Sequence, residues 1–430
     1  MLKSKFYLVT VISGMLALIA GACAQPVPMP TPTPSLIPTP GPSPESSPAT
    51  TSAFVIVDTG QNQCYDNTGK ISCPQSGKSF YGQDAQYQGK QPAYQDNGDD
   101  TVTDLNTGLM WQKDTGSKMV WEQAVSEAES LNFAGYTDWR MPTIKELYSL
   151  IDFNGVTGMS ESDSTPYIDT DYFVFKYGDT DAGERFIDAQ YISSIKYVSI
   201  TMGSNETAFG VNFADGRIKG YPLTDPRTRG GKKFYVRYVR GNTDYGTNAF
   251  MDNWNGTITD LATGLMWMQV GSGEGMDWKD ALTWVQQKNE ENYLGYSDWR
   301  LPNAKELQSI VDYTRSPDTT NSAAISPVFS TTSIIDEGGE TNYPFYWTST
   351  THLDGRKPGS AAIYIAFGEA LGYMKMPPNF STYQLLDVHG AGAQRSDPKI
   401  GDPADYPYGF GPQGDARRIY NFVRCVRDAN

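Results

Sequence analysis

A long stretch of this chain is written twice. The segment DNGDDTVTDLNTGLMWQ at Asp96–Gln112 returns as DNWNGTITDLATGLMWM at Asp252–Met268, and LNFAGYTDWRMPTIKELYSLID at Leu131–Asp152 returns as ENYLGYSDWRLPNAKELQSIVD at Glu291–Asp312. The copies are offset by 156 residues at the first block, 157 at Trp121 and Trp278, and 160 at Trp139 and Trp299. A solenoid unit runs to about 20–50 residues, whereas this spacing is the ordinary size of a self-sufficient domain. Two architectures satisfy it: similar globular domains in tandem, which is the first reading, or an intertwined pair sharing one core. Drawn as tandem domains, the repeats occupy residues 94–241 and 249–430, with a cysteine-containing lead-in over residues 51–93.

Each copy has the same local grammar. Asp96–Asp100 and Asn253–Gly256 carry turn chemistry, Thr101–Thr103 and Thr257–Thr259 are β-branched, and Leu109–Trp111 and Leu265–Trp267 are apolar. That order predicts a hairpin delivering one large aromatic into a core. A helix should follow, because Val120, Trp121, Ala124, Val125, Ala128 and Leu131 recur at helical period, as do Trp278, Ala281, Leu282 and Val285. A second helix starts at a capping box, Thr143 with Glu146 and Asn303 with Glu306, just after Pro142 and Pro302. Its buried stripe is Ile144, Leu147 and Ile151 in one copy, answered by Ala304, Leu307 and Val311. Ala208–Phe213, Ala362–Gly368 and the closing segments Phe234–Arg240 and Tyr420–Arg427 read as strands.

The first 50 residues have another character. Lys3 and Lys5 precede an apolar run from Phe6 to Ala20, which predicts a signal peptide over residues 1–22 and an exported protein. The sequence LIAGAC ending at Cys23 resembles the lipobox of bacterial lipoproteins, which implies lipidation at Cys23 and, with Ala24 next, an outer-membrane location. Ordinary cleavage at an Ala-x-Ala site would instead release a periplasmic or secreted protein. Residues 26–50 hold ten prolines and no aromatic residue, so residues 23–50 are expected to be an extended linker.

Cysteine usage fits an oxidising compartment. Cys64 and Cys73 close a short loop rich in Asn, Gly and Ser and are expected to form a disulfide. Cys425 is left over, and Tyr238 holds its place in the first copy, so it reads as a buried small hydrophobe.

The repeated blocks resemble the bacterial DUF1566 family, also called the Lcl C-terminal domain. The features that carry the likeness are DNGDDTVTD, TGLMW, GYTDWRMPTIKEL with GYSDWRLPNAKEL, YWTST, and the closing YVRYVRG and FVRCVRD. The resemblance implies an α+β, C-type-lectin-like architecture, two helices packed on twisted antiparallel strands with long loops, built in duplicate. The first copy departs more: Ile192-Ser193-Ser194 stands where the second has Trp347-Thr348-Ser349, and Tyr238 replaces Cys425. The second copy is therefore the expected place for any ligand site, with Asp298, Arg300 and Trp347 as its candidate residues.

The repeated triplets Asp138-Trp139-Arg140 and Asp298-Trp299-Arg300 have two readings. An arginine beside a carboxylate can grip an anionic ligand as a fork, or the charges can pin the loop while the tryptophan fills the core. The structural reading is favoured, because the whole block recurs together with its caps and apolar stripe.

Signals for chemistry are sparse. His352 and His389 are the only histidines and lack metal-ligand spacing, so neither a shared zinc site nor a histidine triad is expected. The run Asp96, Asp99, Asp100, Asp104 lacks the order of an EF-hand and reads as turn formation. Calcium is carried only as a candidate in the long loops, for example near Asp397, Asp402 and Asp405.

Binding is the more economical function. Nine tryptophans and 27 tyrosines supply contact surface, while a formal net charge of -15 opposes nucleic acid and anionic membranes. The basic run from Arg227 to Lys233 is too small for a nucleic-acid track. The expectation is a non-enzymatic envelope protein that contacts an extracellular glycan or surface protein, touching the membrane through its lipid anchor only. A structural envelope lipoprotein is the alternative, and an enzyme acting on an extracytoplasmic polymer is the third.

Overall fold

Asn97 shows why the opening block forms the same hairpin twice. Its side-chain amide donates to Thr101 Oγ1 and Thr103 Oγ1, both at 2.9 Å, and Asn253 makes the same bonds to Thr257 and Thr259 at the same distances. These contacts, seen in the computed structural model, lock the tight turn that leads into Thr101–Asp104 and Thr257–Asp260, and the strand paired next to each, Leu109–Gln112 or Leu265–Met268, buries Trp111 or Trp267 completely. The structure describes residues 54–225, 230–376 and 381–429. The signal peptide, Cys23 and the linker lie outside the described residues, as does Arg227.

Each hairpin belongs to a four-stranded antiparallel sheet. In the first repeat the order is Val239–Gly241, Leu109–Gln112, Thr101–Asp104, Tyr94–Asp96. In the second it is Val426–Asp428, Leu265–Met268, Thr257–Asp260, Phe250–Asp252. The closing segments are strands over only part of the expected span, because Arg237 and Arg424 turn fully inward there. Arg424 donates to the carbonyls of Met268 at 2.7 Å, Gln269 at 2.6 Å and Ser330 at 2.7 Å, and Arg237 reaches Gln112, Lys113 and Val174 in the same way. A buried guanidinium thus ties each sheet end to a long loop.

The helices begin where the sequence places them. Helix α1 spans Trp121–Ser130 and α2 spans Ile144–Ser149, with the Thr143–Glu146 capping box formed. Helix α3 spans Trp278–Glu290 and α4 spans Ala304–Ser309, with the Asn303–Glu306 box formed; α5 is a single turn at Pro317–Thr320. The stripes Ile144, Leu147, Ile151 and Ala304, Leu307, Val311 are all buried.

A six-stranded antiparallel sheet joins the repeats. Its order is Phe345–His352, Ala361–Ala366, Gln394–Pro398, Arg217–Pro222, Thr207–Asn212, Gln190–Lys196, so three strands of the second copy continue into three of the first. The seam is the pairing of Gln394 with Ile218. Helix α2 lies on Thr207–Asn212, α4 on Ala361–Ala366, and the two helices pack against each other. One core cluster accordingly mixes the copies, with Trp111, Leu147 and Phe209 beside Trp267, Leu307 and Ile365. Each repeat keeps a second cluster of its own, around Trp139 and Tyr238 or around Trp299, Trp347 and Cys425. Residues 51–430 form one compact unit.

The expectation of C-type-lectin-like α+β modules is corrected by this architecture. Regular structure among the described residues is mostly strand, in many small antiparallel sheets, and α-helix is confined to five short segments of four to thirteen residues. The physical reason lies in the helical periodicity, which is sustained only over α1–α4. The remaining chain is β-branched and aromatic between turn residues and forms ladders instead.

Cys64 and Cys73 form the disulfide in the lead-in, and Cys425 is a buried free cysteine. Its thiol is pushed well up by burial, as befits a packing residue.

Candidate functional site

The two Asp-Trp-Arg triplets are built alike. Trp139 and Trp299 are buried, donating their indole N–H to the carbonyls of Phe133 at 3.0 Å and Tyr293 at 2.9 Å. The aspartates do not pair with the arginines beside them. Asp138 accepts from Arg240 Nε at 2.7 Å, and Asp298 accepts from Arg427 at 2.7 and 3.0 Å, so each carboxylate fastens the loop to the closing strand. Those contacts hold both carboxyls below their ordinary range. Trp347, in the second repeat, is fully buried and donates to the Met276 carbonyl at 2.9 Å.

The arginines separate the copies. Arg140 engages both oxygens of Glu146, at 2.7 and 2.5 Å, in a bidentate fork. Arg300 reaches Glu306 through Oε2 alone, at 2.5 Å, and turns its other nitrogen to Asp428 at 3.3 Å. Glu306 Oε1 is left without a hydrogen bond among the described residues.

That difference opens onto a cleft of about 700 Å³ between the lead-in and the second repeat. Its walls include Phe54, Asp84, Tyr87, Leu261, Arg300 and Ser349, with Glu306 and Asp428. At the first repeat the matching ground is held by the chain that links the copies: Tyr245 is buried there, and the Asn242 side-chain amide donates to the Thr107 carbonyl at 3.1 Å. The serine of the matching triplets differs too. Ser194 Oγ donates to the Pro142 carbonyl at 3.1 Å, whereas Ser349 Oγ has no hydrogen-bond partner among the described residues.

Asp84 is the most perturbed carboxyl of the cleft. It is 2% exposed, and its Oδ2 accepts from Thr59 Oγ1 at 2.8 Å and Thr350 Oγ1 at 2.5 Å. Burial pushes it up to about 7, against the pull of those hydroxyls. Its Oδ1 accepts no hydrogen bond among the described residues.

Of the three candidate ligand residues, the structure brings only Arg300 to the cleft. Asp298 is committed to Arg427 and Trp347 to the core. Glu306 was visible in the sequence only as a cap, and Ser349 only as part of the YWTST signature. Asp84 has no counterpart in the other copy and carried no motif, so repetition could not flag it.

Metal-ligand geometry is not found among the described residues: no group of three or more His, Cys, Asp or Glu side chains is placed to hold an ion. Asp397 is buried and accepts from Arg417 at 3.2 Å, the Ile419 N–H at 3.1 Å and Asn421 at 3.1 Å, while Asp402 caps the short helical turn Pro403–Asp405.

No curated protein matches the chain. The family model of the Lcl C-terminal domain matches residues 100–240 and 256–386, more than half of the sequence, and the protein belongs to that family through two tandem copies.

Proposed function

We propose that this protein is an envelope-anchored binding or adhesion protein that holds an extracellular glycan or protein at its second Lcl repeat, with no chemical step. One observation carries the reading. The same motif is closed by a complete Arg140–Glu146 fork at one copy, and at the other it opens onto a cleft where acceptor atoms are left without donors. A concave wall that presents a few polar atoms free to bond an incoming group is the usual form of a binding site. Among the described residues no helix is long and apolar enough to cross a membrane, and membrane attachment in this reading comes from lipid on Cys23.

The test is a glycan and surface-protein binding screen, with and without calcium, comparing the wild type with Leu261→Trp, which fills the cleft from its exposed rim. Saturable binding that Leu261→Trp abolishes supports the reading. A Cys23→Ala variant should lose lipid labelling and membrane attachment, and attachment unaffected by that change would remove the anchor.

A structural role is favoured by a separate observation: Asp138, Asp298, Arg140 and Trp139 are all engaged in internal contacts. No saturable ligand in the screen, together with an envelope defect on deletion, would select it.

A further inference from the structure

The cleft beside Arg300 has a chemical bias that narrows its ligand. Three carboxyl groups line it, Asp84, Glu306 and Asp428, against one guanidinium, which Glu306 and Asp428 already engage. Three atoms on its walls are acceptors without donors among the described residues: Asp84 Oδ1, Glu306 Oε1 and Ser349 Oγ. Ser349 supplies evidence apart from the charges. It is 1% exposed, and in the first repeat the same serine is satisfied by the Pro142 carbonyl. Ser349 lines the cleft with no protein group among the described residues bonded to its hydroxyl, so a ligand can donate to it.

An anionic ligand would meet the excess of carboxyl groups. A purely apolar one would bury them unpaired. A primary ammonium carries a positive charge and three N–H donors and no acceptor, which suits three acceptors of this kind.

Resting on the reading of this cleft as a ligand site, we infer that it takes its ligand through a primary ammonium group, which donates to Asp84 Oδ1, Glu306 Oε1 and Ser349 Oγ. The group is carried by an amino sugar or by an aliphatic amine such as a lysine side chain. Asp84 faces the carboxylates of Asp58 and Glu306 and the ammonium of Lys305, and engaging a further cation favours its ionised form, so binding is coupled to proton release near neutral pH. As pH falls through the range where Asp84 protonates, affinity falls with it.

The experiment is titration calorimetry on the full chain with four probes: glucosamine, N-acetylglucosamine, 1,5-diaminopentane and 1,5-pentanediol. Either amine should give saturable heat, and its acetylated or hydroxyl analogue should give none; which amine binds identifies the source. Asp84→Asn should weaken binding about tenfold or more and abolish the buffer-dependent heat that reports proton release. Ser349→Ala should weaken it about threefold, with the thermal midpoint showing that both variants are folded. Equal binding of an amine and its uncharged analogue overturns the inference, as does no amine binding at millimolar concentration. A macromolecular ligand that Leu261→Trp abolishes but no amine displaces leaves the site standing and removes the ammonium. Amine binding with no macromolecular partner does the reverse.

Discussion

Lys145 Nζ donates to the Ser309 carbonyl at 2.6 Å, and its counterpart Lys305 returns the contact to the Ser149 carbonyl at 2.9 Å. Each lysine projects from the second helix of its repeat and reaches the end of the equivalent helix in the other. This is the reciprocity of a twofold dimer interface, made within one chain. Each lysine also holds the segment that leads into the other copy. Lys145 reaches Gly246 at 3.0 Å and Asn248 at 2.8 Å, and Lys305 reaches the Asp58 carbonyl at 2.8 Å. Burial draws both ammonium groups down to about 8.

Removing one arm of this clasp should destabilise the whole unit. Lys305→Met leaves the carbonyls of Asp58 and Ser149 without their donor, at a cost of about 2 kcal/mol. Urea unfolding should show a lower midpoint with the transition still single.

The shared sheet makes a stronger prediction about autonomy. A fragment of residues 249–430 exposes the strand Gln394–Pro398 as a free edge and half of the mixed core. It should aggregate or dimerise through that edge. A well-folded monomer by sedimentation would show that the copies are independent.

Buried and exposed charges should separate by mutation. Arg424→Met orphans three carbonyls around a fully buried guanidinium and should cost about 3–5 kcal/mol. Asp298→Ala removes a carboxylate that is 58% exposed and one of several contacts of Arg427, and should cost about 1 kcal/mol or less in the same unfolding experiment.

A pH dependence follows from His352. The ring is buried, donates Nε2–H to the Asp215 carbonyl at 3.0 Å and accepts at Nδ1 from Ser396 at 2.8 Å, and burial draws its pKa down to about 3. The unfolded chain takes up a proton near pH 6.5 that the folded chain refuses. Its contribution is therefore present above pH 6.5 and lost as pH falls toward 3. His352→Gln should flatten the decline between pH 6.5 and 4, by up to ~1.4 kcal/mol per pH unit.

Much of the local structure was legible because it depends on neighbours in sequence. The Asn97 and Asn253 turns, the Thr143–Glu146 and Asn303–Glu306 caps, the buried tryptophans and the Cys64–Cys73 bridge are settled within a few residues of each other. The lectin-like expectation failed because it concerned how these pieces assemble. The cleft was legible only at Arg300, since Asp84 arrives from the lead-in and the freedom of Ser349 depends on the position of a distant carbonyl.

The sequence alone determined that one folding unit is specified twice, because turn chemistry, capping and helical period are properties of short segments. Only the tertiary structure decided that the two units close one sheet and one core. That depends on a strand seam and on Lys145 and Lys305 crossing between copies, contacts between residues more than 150 positions apart. It also decided that the copies differ in the geometry of a shared motif. An identical arginine–glutamate pair is a two-oxygen fork in one copy, and in the other it uses a single glutamate oxygen and lines a cleft shared with the lead-in.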